Sequence, residues 1–269
     1  MMEFFNKLRN NFGLRALKVY GLSLYCRYLL NFILNLPHLY RSRTLTVVDK
    51  KMDKFVVNIS YRNTSFKFDC GFASSYLKEG PSFTLIREIC VSDCYFKYHH
   101  PNVFSASKTV LDLGANRGVF SALMASQATR VICVEVQPHY RPIIEHNMEI
   151  NNYQNVIVEI AFVGAGGMFF DQGKGITIDG LLDKYNLPSI DFLKMDVEGS
   201  EFVLFASPSW LQRVDNLSME VHPTYGDPGK IISALQEQDF KIVTADRRLL
   251  LTTEINQVTF IYGTRASKG

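Results

Sequence analysis

Cysteine is scarce and unpaired in this chain. Cys26, Cys70, Cys90, Cys94 and Cys133 are odd in number and scattered, with no C-x-x-C arrangement, which argues against a disulfide framework and a zinc knuckle. A reducing compartment follows, and a cytoplasmic location is the expectation. Cys90 and Cys94 lie four apart, as neighbours on a helix face would, and read as small buried side chains rather than metal ligands. An excess of one charge is missing too: 29 basic against 26 acidic residues leave a net +3, too near balance to call for a nucleic-acid partner. There is no internal repeat and no low-complexity stretch. Nor is there an uninterrupted long apolar run, because Arg27 breaks the one from Val19 to Leu36. No small-residue cleavage site follows that run, so neither a secretory signal nor a membrane span fits it.

What is present is an ordinary globular composition of 269 residues, 47% hydrophobic and 20% charged, enough for one large domain with appendages. Pattern divides it into three zones. Residues 1–44 set basic Lys7, Arg9, Arg15 and Lys18 ahead of the apolar run. Ser23, Arg27, Asn31 and Asn35 recur every four residues, which predicts an amphipathic helix with Leu22, Cys26, Leu29, Leu30, Ile33 and Leu34 elsewhere on its surface. Such a helix packs on its own domain or on a second copy in a homodimer; the alternative is peripheral membrane contact through residues 15–36, at the cytoplasmic face. Residues 45–107 form a cap region, with Phe55–Tyr61 and Ser65–Asp69 alternating around Arg62-Asn-Thr64 as a β-hairpin.

From residue 108 to 269 short apolar strands alternate with helical patterns, which predicts an α/β fold with a doubly wound parallel sheet. The strands are Val110–Leu113, Val131–Glu135, Val156–Phe162, Phe192–Asp196 and Leu217–Val221, with Lys241–Thr244 and Val258–Tyr262 as a terminal antiparallel pair. Asp112-Leu-Gly114-Ala115-Asn116-Arg-Gly118 follows the first strand and precedes a helical pattern, so it is a turn at the carboxyl edge of the sheet, where ligands bind. Glycines there admit positive φ and a close ligand. Its spacing is not the G-x-G-x-x-G of a dinucleotide site. Asp112 suits an ammonium group rather than a phosphate, and Glu135, ending the next strand, can accept both hydroxyls of a ribose. Together they point to an adenosyl cofactor.

These residues, with Thr177–Leu182 and Ile190–Glu201 (reading IDFLKMDVEGSE), resemble the FkbM-type methyltransferases over about residues 108–262. Asn147 and Asn151 stand where the family pattern expects them, whereas Val136 replaces the proline that commonly follows the glutamate. The resemblance implies a Rossmann-like class I methyltransferase fold with a seven-stranded sheet, S-adenosylmethionine as cofactor, and methylation of a hydroxyl on a sugar, glycolipid or small natural product. It also offers Glu88 and Tyr95 as residues near the cofactor.

Methyl transfer from a sulfonium needs mainly in-line placement, but an alcohol acceptor must lose a proton, so a base should stand beside the methyl. The candidates are Asp196 and Glu198 on one strand end, with Glu201 opening the next helix, and Glu220 with His222 on the neighbouring strand; His222 is the first choice of base. Asp196, Glu198 and Glu220 could hold a divalent ion, but no spacing demands one, so metal-independent activity is expected. Phe162 can pack on adenine, or simply fill the sheet core. His99-His100 before Pro101 reads as a surface loop. Two rival functions use the same sheet: a non-catalytic cofactor-binding scaffold and an NAD-dependent oxidoreductase, the latter disfavoured by the glycine spacing.

Overall fold

The computed structural model describes residues 12–77, 80–164, 169–170 and 173–266. Lys7 and Arg9 lie outside the described residues. In chain order the elements open with α1 (Leu14–Leu34), α2 (Leu36–Ser42), α3 (Thr46–Met52), β1 (Val56–Tyr61), β2 (Thr64–Asp69), α4 (Cys70–Tyr76), α5 (Ser82–Ile86) and α6 (Pro101–Ala106). There follow β3 (Thr109–Leu113), α7 (Val119–Ala125), β4 (Arg130–Glu135), α8 (Arg141–Glu149), β5 (Val156–Ile160), β6 (Phe162–Val163), β7 (Phe169–Phe170) and β8 (Gly173–Ile176). The chain closes with α9 (Ile178–Lys184), β9 (Ile190–Met195), α10 (Glu201–Leu204), β10 (Val214–Glu220), α11 (Pro228–Glu237), β11 (Phe240–Ala245) and β12 (Phe260–Arg265). Two compact units share these elements: residues 1–94, 117–126 and 142–154 make one, and residues 95–116, 127–141 and 155–269 the other.

In the first unit β1 and β2 pair antiparallel around Arg62-Asn63, which is the expected hairpin. Its alternation is clean, with Val57, Ile59, Tyr61, Phe66 and Phe68 buried. Two asparagines on and just after α8 hold the outer strand. Asn151 accepts from the Lys67 amide at 2.7 Å and donates to the Lys67 carbonyl at 2.8 Å, while Asn147 accepts from the Asp69 amide at 2.7 Å. Side-chain amides thus replace a missing neighbour strand, satisfying backbone groups that would otherwise be exposed. A buried Arg87–Asp49 pair at 3.1 Å, with Tyr28 and Thr84 donating to the same carboxylate, ties α1, α3 and α5 together. Cys90 and Cys94 are buried, as expected.

α1 departs from the amphipathic expectation. Gly21, at φ +68°, breaks it into two helical stretches. Ala16, Val19, Tyr20 and Tyr28 face inward, but the Asn31 and Asn35 amides of the supposed polar stripe turn back onto helix carbonyls at 2.9 and 2.7 Å. Apolar residues therefore remain on the outward side as well.

The second unit contains a seven-stranded sheet in the order β11-β12-β10-β9-β3-β4-β5. Five strands from β10 to β5 are parallel, and β12 runs antiparallel between β10 and β11. This is the Rossmann-like sheet with the terminal antiparallel pair that the pattern predicts. One face is covered by Ile178, Leu181 and Leu182 of α9, Leu204 of α10, and Ile231 and Leu235 of α11, packed against Leu111, Ile132, Leu193, Leu217 and Ile261. The other face takes the segment before β3: the Phe96 ring lies tilted 4.5 Å from Phe192, and Tyr98 meets Tyr262 edge-on at 5.2 Å.

His99 corrects the surface-loop expectation. It is buried, with Nε2 2.9 Å from Ser218 Oγ and 3.1 Å from the Leu217 carbonyl, and Nδ1 3.2 Å from Thr264 Oγ1. Two of the three contacts are hydroxyls carried by strands, which no local pattern around His99-His100 reveals. His100 alone does turn-like work, accepting from the Asn102 amide at the start of α6.

Candidate functional site

The chain order reverses at β3, with β4 on one side and β9 on the other, and the crevice at the carboxyl ends of such strands is where an open α/β sheet binds ligands. The loop after β3 lies there. Gly114 and Ala115 both donate to the Val134 carbonyl, at 2.9 and 3.0 Å, so the loop folds flat across the end of β4. Gly114 has φ +74°, and a Cβ on it would stand 1.7 Å from the Asp196 carbonyl oxygen. Glycine is therefore obligatory on two grounds, backbone conformation and contact with the end of β9. Asn116 also adopts a positive φ of 52°. Gly118, at φ +79° in the first unit, abuts Ile144, which leaves 3.1 Å to a Cβ.

Glu135 is buried at the end of β4 and locks this loop: Oε2 accepts from the Asn116 amide at 2.7 Å and Oε1 from the Gln137 amide at 2.9 Å. Each carboxylate oxygen keeps a further acceptor position. Asp112 is wholly buried on β3 and faces Lys194, its register partner on β9, with 3.2 Å between Nζ and Oδ1. Lys194 also donates to the Gly114 carbonyl at 2.6 Å. Burial by itself would push the Lys194 ammonium down, but the Asp112, Asp196 and Glu135 carboxylates together hold it above its ordinary value. The ammonium beside Asp112 is thus one the chain supplies. Sequence reading passed over Lys194; the available signal was a lysine and an aspartate each placed inside an apolar strand, where either alone would be a costly buried charge.

β9 and β10 are parallel neighbours, so their ends bring the second group of candidates together. Asp196 Oδ2 accepts from the Tyr95 hydroxyl at 3.3 Å, while Oδ1 is buried with no hydrogen-bond partner. Asn116 Oδ1 is in the same condition. Glu198 is the reverse: it has a left-handed φ of 50° and its side chain is 82% exposed. Gly199 follows at φ +103°, and together they turn the chain sharply into α10. Glu201 is fully buried there, with Oε2 taking the Gly199 amide at 2.8 Å and Oε1 taking both the His222 amide at 2.7 Å and His222 Nδ1 at 3.0 Å. His222 Nε2 then lies 3.3 Å from Glu198 Oε2.

The hydrogen bond His222 donates to Glu201 is the largest cause of a His222 pKa raised to about 9, with the charges of Glu201, Glu198 and Asp196 adding to it against the effect of burial. Burial would raise Glu201, but the bonds it accepts from His222 and the backbone leave it below the usual carboxylate value. At neutral pH, then, His222 is an imidazolium between two carboxylates. Ligand atoms of Asp196, Glu198 and His222 lie within 4.8 Å of one another, the one such group among the described residues. Glu220 ends β10 in register with Phe260 and is not part of that group. Phe162 lies on the short β6, its ring so close to Gly164 that a Cβ there would fall 2.3 Å from it. Glu88 belongs to the first unit, 3.7 Å from Arg87.

Residues 174–242 match the methyltransferase FkbM domain. Over that stretch the chain is similar to the FkbM type. The match takes in Asp196, Glu198, Glu201, Glu220 and His222, and it supports methyltransferase activity. No curated protein matches the chain. Among solved structures, the FkbM methyltransferase of Methylobacillus flagellatus KT is 19% identical, with 62% of this chain and 46% of that one covered and a TM-score of 0.45. A putative methyltransferase of Streptococcus mutans, solved in complex with SAH, is 13% identical over 61% of this chain and 94% of that one, at a TM-score of 0.42. The precorrin-6y C5,15-methyltransferase of Geobacter metallireducens GS-15 is 15% identical over 60% and 81%, at 0.41. The fold itself is defined by the strand order described above.

Proposed function

We propose that this FkbM-type chain transfers a methyl group from S-adenosylmethionine to a hydroxyl of a sugar, glycolipid or small natural product. The observation that carries the reading is the convergence, at one edge of the sheet, of the Gly114 loop, buried Glu135 and the carboxylates of Asp196 and Glu198. The residues fit the cofactor. Asp196 Oδ1 and Asn116 Oδ1 are buried acceptors that lack donors, and a buried acceptor left unmatched costs about 1–3 kcal/mol, so both favour a ligand bearing N–H or O–H groups. Asp196 is the better partner for an ammonium, since Asp112 already answers Lys194. Glu135, with acceptor capacity left on both oxygens, suits the ribose hydroxyls, the Gly114–Asn116 loop would receive the methionyl portion, and Phe162 would offer an apolar face for adenine.

S-adenosylmethionine, when bound, supplies a methyl on a good leaving group, so the protein's work is placement and removal of one proton. His222 does not serve as the base in its resting form, because its pKa of about 9 keeps it protonated at neutral pH. The proton-accepting role passes to Asp196 and Glu198, with Glu198 the more accessible. Glu201 fixes His222, and the imidazolium Nε2 holds Glu198 in turn, which makes His222 a positioning residue. Activity is read as metal-independent, because a proton on His222 Nε2 already meets the Glu198 carboxylate without an ion.

The test is transfer of labelled methyl from S-adenosylmethionine to a panel of polyol and sugar acceptors, with wild type and Glu198→Gln compared. Turnover should fall about 100-fold or more in the variant, as for loss of a general base, while cofactor affinity stays the same. Undiminished turnover removes Glu198 from the mechanism, and activity abolished by chelation and restored by magnesium overturns the metal-independent reading.

A further inference from the structure

The outward face of α1 is unlike the surface of an ordinary packed helix. From Leu22 onward its inner side is fixed by Tyr28, yet the opposite side presents Leu22, Cys26, Leu30, Ile33 and Leu34. Their positions (0, +4, +8, +11, +12) form a single stripe at helical spacing. Leu22 is 71% exposed, Leu30 57%, Ile33 52% and Leu34 68%. The chain runs directly into α2, where Leu36 and Tyr40, one turn apart, are exposed as well. A helix apolar on both sides needs a second apolar phase for its outer side.

Charge identifies that phase. Not one acidic residue occurs between Glu3 and Asp49, whereas Lys7, Arg9, Arg15, Lys18, Arg27, Arg41 and Arg43 do, so that the rest of the chain is net acidic. Arg15 is taken by Asp93 at 2.7 Å, and the Arg27 guanidinium lies 4.2 Å over the Phe55 ring. Lys18, Arg41 and Arg43 are exposed and have no acidic partner among the described residues. A second copy of the same face would bring only like charges together, while an anionic lipid surface offers both the apolar boundary and the opposite charge. Spanning is a different matter: no helix among the described residues is long and apolar enough to cross a membrane. The piece from Leu22 to Leu34 is only about 20 Å long at 1.5 Å per residue, a length for lying in the interface.

We propose that the Leu22–Leu34 face of α1, flanked by Lys18, Arg41 and Arg43, docks this protein on a membrane surface rich in anionic lipid.

Sedimentation of the full chain with phosphatidylcholine vesicles containing about 30% phosphatidylserine, against vesicles of phosphatidylcholine alone, tests it. Binding should be at least about tenfold tighter to the anionic vesicles, weaken as salt is raised, and drop about tenfold or more in the double variant Arg41→Gln/Arg43→Gln. The double variant Leu30→Ser/Ile33→Ser should lose binding altogether. If that variant loses its circular dichroism, the arginine pair decides, because exposed Arg41 and Arg43 contribute nothing to the buried core. No sedimentation of the wild type, or equal binding by wild type and the arginine variant, overturns the proposal. So does a dimer in sedimentation equilibrium that Leu30→Ser/Ile33→Ser dissociates, since a second copy would then cover the face.

Discussion

Raising the pH should weaken the second unit through one residue, His222. Its pKa rises from an ordinary 6.5 to about 9, chiefly through the hydrogen bond to buried Glu201. At 1.36 kcal/mol per pH unit, that difference corresponds to about 3 kcal/mol of stability linked to one proton. The lowered pKa of Glu201 expresses the same interaction from the partner's side and is not added. Because the folded state raises the pKa, the contribution is complete below about pH 6.5, declines as pH rises from there to 9, and is gone above that. Replacing His222 by Gln removes it at every pH. Trp210, the one tryptophan in the chain, is buried in the same unit and reports its unfolding in urea. The stability gap between wild type and His222→Gln should be about 3 kcal/mol near pH 6 and close to zero above about pH 9.5. A gap constant across that range would refute the argument and show that His222 contributes by packing.

Two further substitutions test the loop that carries the site. Lys194→Met leaves Asp112 wholly buried without its counter-charge and should cost about 3–5 kcal/mol in the same urea assay, against which a loss below about 1 kcal/mol would show that Asp112 is not ionised there. Gly114→Ala sets a Cβ 1.7 Å from the Asp196 carbonyl at a φ of +74°, so the loop must move away from β9. Affinity for S-adenosylhomocysteine, measured by calorimetry, should then fall by about tenfold or more, the equivalent of the 1–2 kcal/mol that a left-handed alanine costs; unchanged affinity would mean that the loop does not line the cofactor.

The sheet was readable in advance because each parallel strand is a short apolar run between turn signals. Six of the seven expected strands form with one to three residues added at an end, and the β1–β2 hairpin forms around Arg62-Asn63; the seventh, expected over Val156–Phe162, ends at Ile160, and Phe162 passes to β6 in a separate small sheet. The glycine loop was readable for a similar reason, since positive φ and close approach leave few other residues able to stand there. Three features escaped. The Asp112–Lys194 pair joins strands far apart in sequence, and its logic appears only in the β3–β9 register. His99 is held by groups on β10 and β12, equally remote. On α1 the four-residue polar spacing was sound as a pattern but misleading as a surface, because Asn31 and Asn35 satisfy themselves on the helix backbone while the leucines face outward. The chemistry of His222 was half visible: its place beside the carboxylates followed from strand adjacency, but its protonation depends on Glu201, whose burial no local pattern shows.

The proposed role of the Gly114 loop and Glu135 is to receive an adenosyl cofactor rather than a dinucleotide. Calorimetric titration of the full chain with S-adenosylhomocysteine and, separately, with NAD tests this most directly. Saturable one-site binding of S-adenosylhomocysteine is expected, weakened in Glu135→Gln, with no heat of binding from NAD. Saturable binding of NAD with none of S-adenosylhomocysteine would contradict it.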